Sequence, residues 1–142
     1  MKNKIISSAL ILLVSIVISG CDSDKISAVQ STEYQNMYFE GNLGGIFNKT
    51  KFCTSVDWAV ISNKKGDEFI EANCHVDLEF AKERKAKKAD FIVYFEAAED
   101  VTYFTKAMLV RTYKDGSTKN KEFTDEDKIE LLMYQYLIKN IS

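Results

Sequence analysis

The sequence predicts an α+β domain: an antiparallel β-meander of about five strands with a C-terminal α-helix packed on one face. Three observations predict it. Two stretches, 56–60 and 70–78, alternate apolar and polar residues with the period of two of half-buried strands. Turn signals at Asn63–Asp67 and at Asp115-Gly116 separate strand-like runs at hairpin spacing. From Thr124 onward the apolar residues recur at helical spacing. The composition agrees: 142 residues, 46% hydrophobic, with six glycines and no proline, describe one folded domain and exclude collagen-like and proline-rich chains. Lys+Arg 19 against Asp+Glu 21 leaves no net basic field, so nucleic acid is not an expected partner. One histidine and three cysteines are too few for most multi-ligand metal sites, and neither a metal nor a cofactor is expected.

The first element is not part of the meander. Lys2 and Lys4 precede an apolar run from Ile5 to Ile18, broken only by serines. That run is short for a membrane span, which needs about 20 apolar residues, and has the length of the apolar region of an export signal. It ends in Ile18-Ser19-Gly20-Cys21. Aliphatic, small, glycine and cysteine in that order resemble the lipobox of bacterial lipoprotein precursors, a likeness confined to the first 21 residues. The resemblance implies a diacylglyceryl thioether on Cys21, cleavage between Gly20 and Cys21, and acylation of the new amino group. Each buried acyl CH2 adds about 0.8 kcal/mol of membrane affinity, so two or three chains make a lasting anchor. Asp22 resembles the residue that retains enterobacterial lipoproteins in the inner membrane, facing the periplasm. Residues 1–20 are thus expected to be signal, 21–32 a lipidated polar tether, and 33–142 the domain.

Between Glu33 and Phe52 aromatics and glycines mix, and only a short helix around Leu43 to Lys51 is expected, since each glycine costs a helix about 1 kcal/mol. The next element is a hairpin. A three-residue loop with Gly66 in the left-handed region makes opposed residue numbers sum to 130. Val60 then faces Ile70, Trp58 faces Ala72, and Val56 faces Cys74, with every apolar member on one side. Once Cys21 is assigned to lipid, Cys53 and Cys74 remain for pairing in an oxidising compartment. Their numbers sum to an odd value, so a disulfide requires the chain to bend before Thr54.

A basic connector, Phe80 to Ala89, should lead to strands at Asp90–Ala97 and Val101–Tyr113. Asp115-Gly116 marks a two-residue hairpin, and the returning strand Thr118–Phe123 is lysine-rich, as suits a guarded edge. Thr124 can cap the last helix, whose acidic first turn and Lys139 in its last turn match the helix dipole. Ile129, Leu132, Met133, Tyr136 and Asn140 should mark its inner face, with Leu131, Tyr134 and Ile138 widening the apolar surface to the neighbouring one.

Candidate chemistry is sparse. His75, with Asn73 and Asp77 on its strand face, could serve as a general base or metal ligand, but alternation demands polar residues there anyway. Lys82–Lys88 reads as a solvated connector, with anionic headgroups as the alternative partner. Tyr94, Tyr103 and Trp58 could line a pocket between helix and sheet, the basis of a ligand-binding or hydrolytic alternative. No phosphate loop, nucleophile elbow or paired-cysteine motif occurs. The expectation is a membrane-anchored envelope lipoprotein, held by lipid on Cys21, that contacts an envelope protein partner without being an enzyme. An inhibitor or exclusion role is a further idea without a motif of its own.

Overall fold

The computed structural model describes residues 19–98 and 101–141; the apolar run and its positive start lie outside the described residues. In chain order the elements are α1 (Ser19–Gln30), β1 (Glu33–Asn36), β2 (Phe39–Asn42), α2 (Leu43–Lys49), β3 (Cys53–Ser62), β4 (Glu68–Val76), β5 (Ala86–Ala98), β6 (Val101–Tyr113), β7 (Thr118–Phe123) and α3 (Glu126–Leu132). A π-helical turn (Met133–Leu137) and a 3₁₀ turn (Ile138–Asn140) continue α3. Strands β3 to β7 form one antiparallel sheet in sequence order, the expected meander.

The first hairpin has the expected register: Val60 opposes Ile70, Trp58 opposes Ala72, and Val56 opposes Cys74. Asn63 N–H donates to the Asp67 carbonyl at 3.0 Å, and Gly66 sits at φ 90. The β6–β7 turn repeats this build. Tyr113 N–H donates to the Ser117 carbonyl at 2.8 Å and Gly116 has φ 92, so three residues form the loop where two were expected. The glycine ends a three-residue loop in the left-handed region, a geometry that the Asp-Gly pair alone does not separate from a two-residue turn.

The core lies on one face of the sheet. Phe91, Val93 and Phe95 of β5, Ala72 and Cys74 of β4, and Ala107 of β6 are all fully buried there. Phe47 of α2 meets Trp58 and Phe95 edge-on at 5.3 and 6.4 Å. Tyr136 stacks on Phe52 at 5.0 Å and meets Phe91 at 5.3 Å. Edge-to-face and stacked aromatic pairs of this kind contribute about 0.5–1.5 kcal/mol beyond area burial.

Five expectations are corrected. Residues 22–30 are not free tether but most of α1, whose Val29 is fully buried and whose Ile26 packs against the core. Two apolar residues three apart suffice to dock a helix on an existing core, while the rest of it stays polar and hides the stripe. Gly44 marks that contact: a Cβ there would come within 3.0 Å of the Gln30 Cβ. Strands β1 and β2 form a small hairpin where no strands were expected. Asn36 turns it, its side-chain oxygen accepting from the N–H groups of Tyr38 and Phe39 at 2.8 and 2.9 Å.

Strand β5 begins at Ala86, four residues before the expected start, because a bulge between Ala86 and Lys88 lets both Ala86 and Ala89 turn inward. The C-terminal helix is capped by Asp125, which accepts from the Asp127 N–H at 2.9 Å, and not by Thr124. Its π turn adds a residue to the repeat, so Leu137 is fully buried beside the expected Ile138, while Tyr136 stays packed against Phe52 and Phe91 and Leu131 is exposed.

Candidate functional site

The second face of the sheet gathers polar and ionisable side chains around a smaller apolar cluster. Period-two alternation puts Asp57, Ala59 and Ile61 of β3 on it, beside Phe69, Glu71, Asn73 and His75 of β4. Ile92 and Tyr94 of β5 and Lys106 and Met108 of β6 extend it. Ile61, Phe69 and Tyr94 form a second small apolar cluster, with Ala59, Ile92 and Met108 packed against it.

His75 lies at one end of this face. Its Nδ1 is 2.7 Å from Asp90 Oδ1 and its Nε2 is 2.7 Å from Asp57 Oδ2, so the ring ties β4 to both neighbouring strands. Asp57 beside it is the largest cause holding its pKa above the ordinary histidine value; Asp90 adds to this, and partial burial opposes it. With both nitrogens engaged by carboxylates the imidazole offers no lone pair to a substrate or a metal. The partners differ from those expected. Asn73 and Asp77 are neighbours along the chain, but the ring reaches across strands, and Asp77 instead accepts from the Phe80 N–H at 3.0 Å. Asp90 is directly opposite His75 and Asp57 is its diagonal neighbour, relations that follow from the register of both strand pairs.

In the middle of the face, Lys106 is almost buried, 4.8 Å above the Tyr94 ring and 3.4 Å from Glu122. Burial pushes the Glu71 carboxyl up, with Tyr94 and Lys106 opposing the shift. Burial also raises the Tyr94 hydroxyl, helped by the Glu71 charge, and keeps it protonated. Beside them, the buried Asn73 Oδ1 has no hydrogen-bond partner among the described residues.

Tyr94, Tyr103 and Trp58 do not converge. Trp58 is on the core face, Tyr94 is on the opposite one, and Tyr103 is 47% exposed. A bulge between the Tyr94–Lys106 and Phe95–Phe104 pairs turns Phe104 inward against Phe95 at 5.4 Å and sends Tyr103 out. The pocket expected from these three residues is therefore absent.

The two most exposed large apolar residues among those described lie elsewhere. Met37 and Tyr38, at the β1–β2 tip, are 84% and 62% exposed. The base of the hairpin is held by Tyr34, which packs edge-on against Phe104 at 6.1 Å and donates to Glu130 at 3.3 Å. Burial and the Glu130 charge push the Tyr34 hydroxyl up to about 12, so it remains a donor. Tyr38 lies over Tyr134 at 4.5 Å, and Leu131, one turn before Tyr134, is exposed. Sequence reading missed this patch because it needs a hairpin and a helix to meet.

Cys53 and Cys74 are joined by a disulfide with Cα atoms 5.4 Å apart. The bend expected before Thr54 is a register shift between Cys53 and Ser55. Cys21 falls in the first turn of α1, and Asp22 after it is buried, one carboxylate oxygen lacking a partner among the described residues. Among the described residues no helix is long and apolar enough to cross a membrane, and no group of three or more His, Cys, Asp or Glu could hold a metal ion. No protein-family model matches the chain, and neither a curated protein nor a solved structure matches it.

Proposed function

We propose that the protein is a bacterial envelope lipoprotein, anchored by a diacylglyceryl thioether on Cys21, whose domain is a non-enzymatic module that contacts an envelope protein. The observation that carries the interaction reading is the β1–β2 tip. Met37 and Tyr38 are presented to solvent on a hairpin fixed at its base, with Leu131 and Tyr134 beside them. Rigid exposed aromatics lose little entropy on binding and are enriched at interface centres. The Cys53–Cys74 disulfide supports an exported domain, because such bonds persist in oxidising compartments. Asp22 directs the lipoprotein to the inner membrane, with the domain in the periplasm, in a host whose sorting system reads that position.

Two measurements test this. Mass spectrometry of the mature chain should find a lipid-modified Cys21 as the first residue, and Cys21→Ser should leave the precursor unprocessed; an unmodified N-terminus elsewhere would refute the anchor. A photo-crosslinker at position 37 should give one discrete adduct in intact cells, which Tyr38→Ala reduces. An adduct pattern identical to that of a crosslinker on β7 would refute the interaction surface.

A further inference from the structure

The near-neutral composition conceals a separation of charge along the sheet. At the end where β4 stops and β5 begins, Lys82, Arg84, Lys85, Lys87 and Lys88 are all exposed. The same end receives Lys49 and Lys51 from the α2–β3 junction, because Lys51 N–H donates to the Asn140 carbonyl and Asp77 N–H to the Phe52 carbonyl. The β6–β7 turn brings Lys114 and Lys119, and the last helical turn brings Lys139. Two of the few acids here are already engaged: Glu83 accepts from Arg111 at 2.9 Å, and Asp77 caps the connector. Phe80, 41% exposed, opens the basic connector.

The anchor end is opposite. Lys25 of α1 pairs with Glu68 at the start of β4, and Thr32 meets Thr102 near the start of β6, so α1 crosses the sheet at the β3–β4 turn. The nine residues of β4 separate the two ends by roughly 30 Å at ~3.3 Å per residue. Asp22, Asp24, Asp67 and Glu68 lie at the anchor end against Lys25, Lys64 and Lys65.

We infer that the basic end is a docking surface for anionic phospholipid headgroups. Charge complementarity and an exposed phenylalanine among lysines are what an interfacial contact requires. On the lipoprotein reading, on which this last step rests, the headgroups belong to the bilayer that holds Cys21. An anionic surface attracts the basic end and acts little on the nearly balanced charges at the anchor, turning the domain so that the basic end comes down onto the bilayer. Two attachments on one body then reinforce each other through effective concentration.

The test uses the mature chain, residues 21–142, carrying Cys21→Ser and its intact disulfide, so that the basic end is read apart from lipidation. In co-sedimentation, binding to vesicles with about a third phosphatidylglycerol should exceed binding to pure phosphatidylcholine by about tenfold at low salt and fall as salt rises. Lys82→Glu/Arg84→Glu/Lys85→Glu should abolish the preference, whereas Lys64→Glu/Lys65→Glu, at the other end, should leave it. Phe80→Ala should weaken binding severalfold with every charge intact. Equal binding to both vesicles, no binding, or an unaffected triple variant overturns the proposal; so does retention on immobilised polyglutamate without vesicle binding, which would assign the basic end to an acidic protein.

Discussion

Cys53 lies opposite Val76, while its disulfide partner Cys74 lies opposite Val56, so the covalent link runs diagonally across the β3–β4 pair. The register shift beside Cys53 makes this reach feasible, turning the strand's first residue toward the core face where Cys74 is fully buried. The bond closes a loop of sequence separation 21, and the chain-entropy relation assigns such a loop about 3 kcal/mol. Replacing both cysteines by serine should therefore lower stability by about 3 kcal/mol, read as a reduced urea midpoint with a steeper slope from the more expanded unfolded chain. A loss below 1 kcal/mol would show that the hairpin needs no covalent help.

The ring of His75 predicts a pH dependence. Its folded pKa is raised, chiefly by Asp57, so its contribution is fully present below the unfolded value of about 6.5 and is lost as pH rises through the folded value. Asp57 is 76% exposed, so screening holds the effect under about 1 kcal/mol. Glu71, also raised, tilts stability the same way at lower pH, and a mutant comparison is needed to separate the two. The stability difference between wild type and His75→Gln, from denaturant curves between pH 5 and pH 9, should shrink with rising pH. A difference that grows would reverse the sign argued here.

Docking of α1 gives a third expectation. Val29 is fully buried, and Val29→Ala should cost about 2 kcal/mol through lost burial and the space left behind. A free tether would show no change. Thermal or chemical unfolding of the mature chain distinguishes these directly.

Two glycines should behave alike although they lie at opposite ends of the sheet. Gly66 and Gly116 have φ of 90 and 92 with open space around a Cβ, so alanine would meet backbone strain and no clash. Each substitution should cost about 1 kcal/mol in a denaturant titration. Unequal costs would indicate that one loop rearranges.

Strand periodicity and loop chemistry were local signals, and they specified the meander, the register of its first hairpin and the need for a bend before Thr54. Such features were legible because the pleat has a period of two, so a one-residue slip would have put Val56, Trp58 and Val60 on the wrong face. The lipobox likeness at Cys21 is also a property of sequence alone. Tertiary structure decided what depends on elements meeting. The π turn in the C-terminal helix brought Leu137 into the core beside Tyr136, and the bulge at Thr105 sent Tyr103 outward. Docking turned residues 22–30 from tether into helix, for the stabilisation of a nearly polar helix comes from the surface on which Val29 is buried. His75 found its partners across strands, and the charges that nearly cancel along the chain were drawn apart because successive loops of a meander return to the same two ends of the sheet.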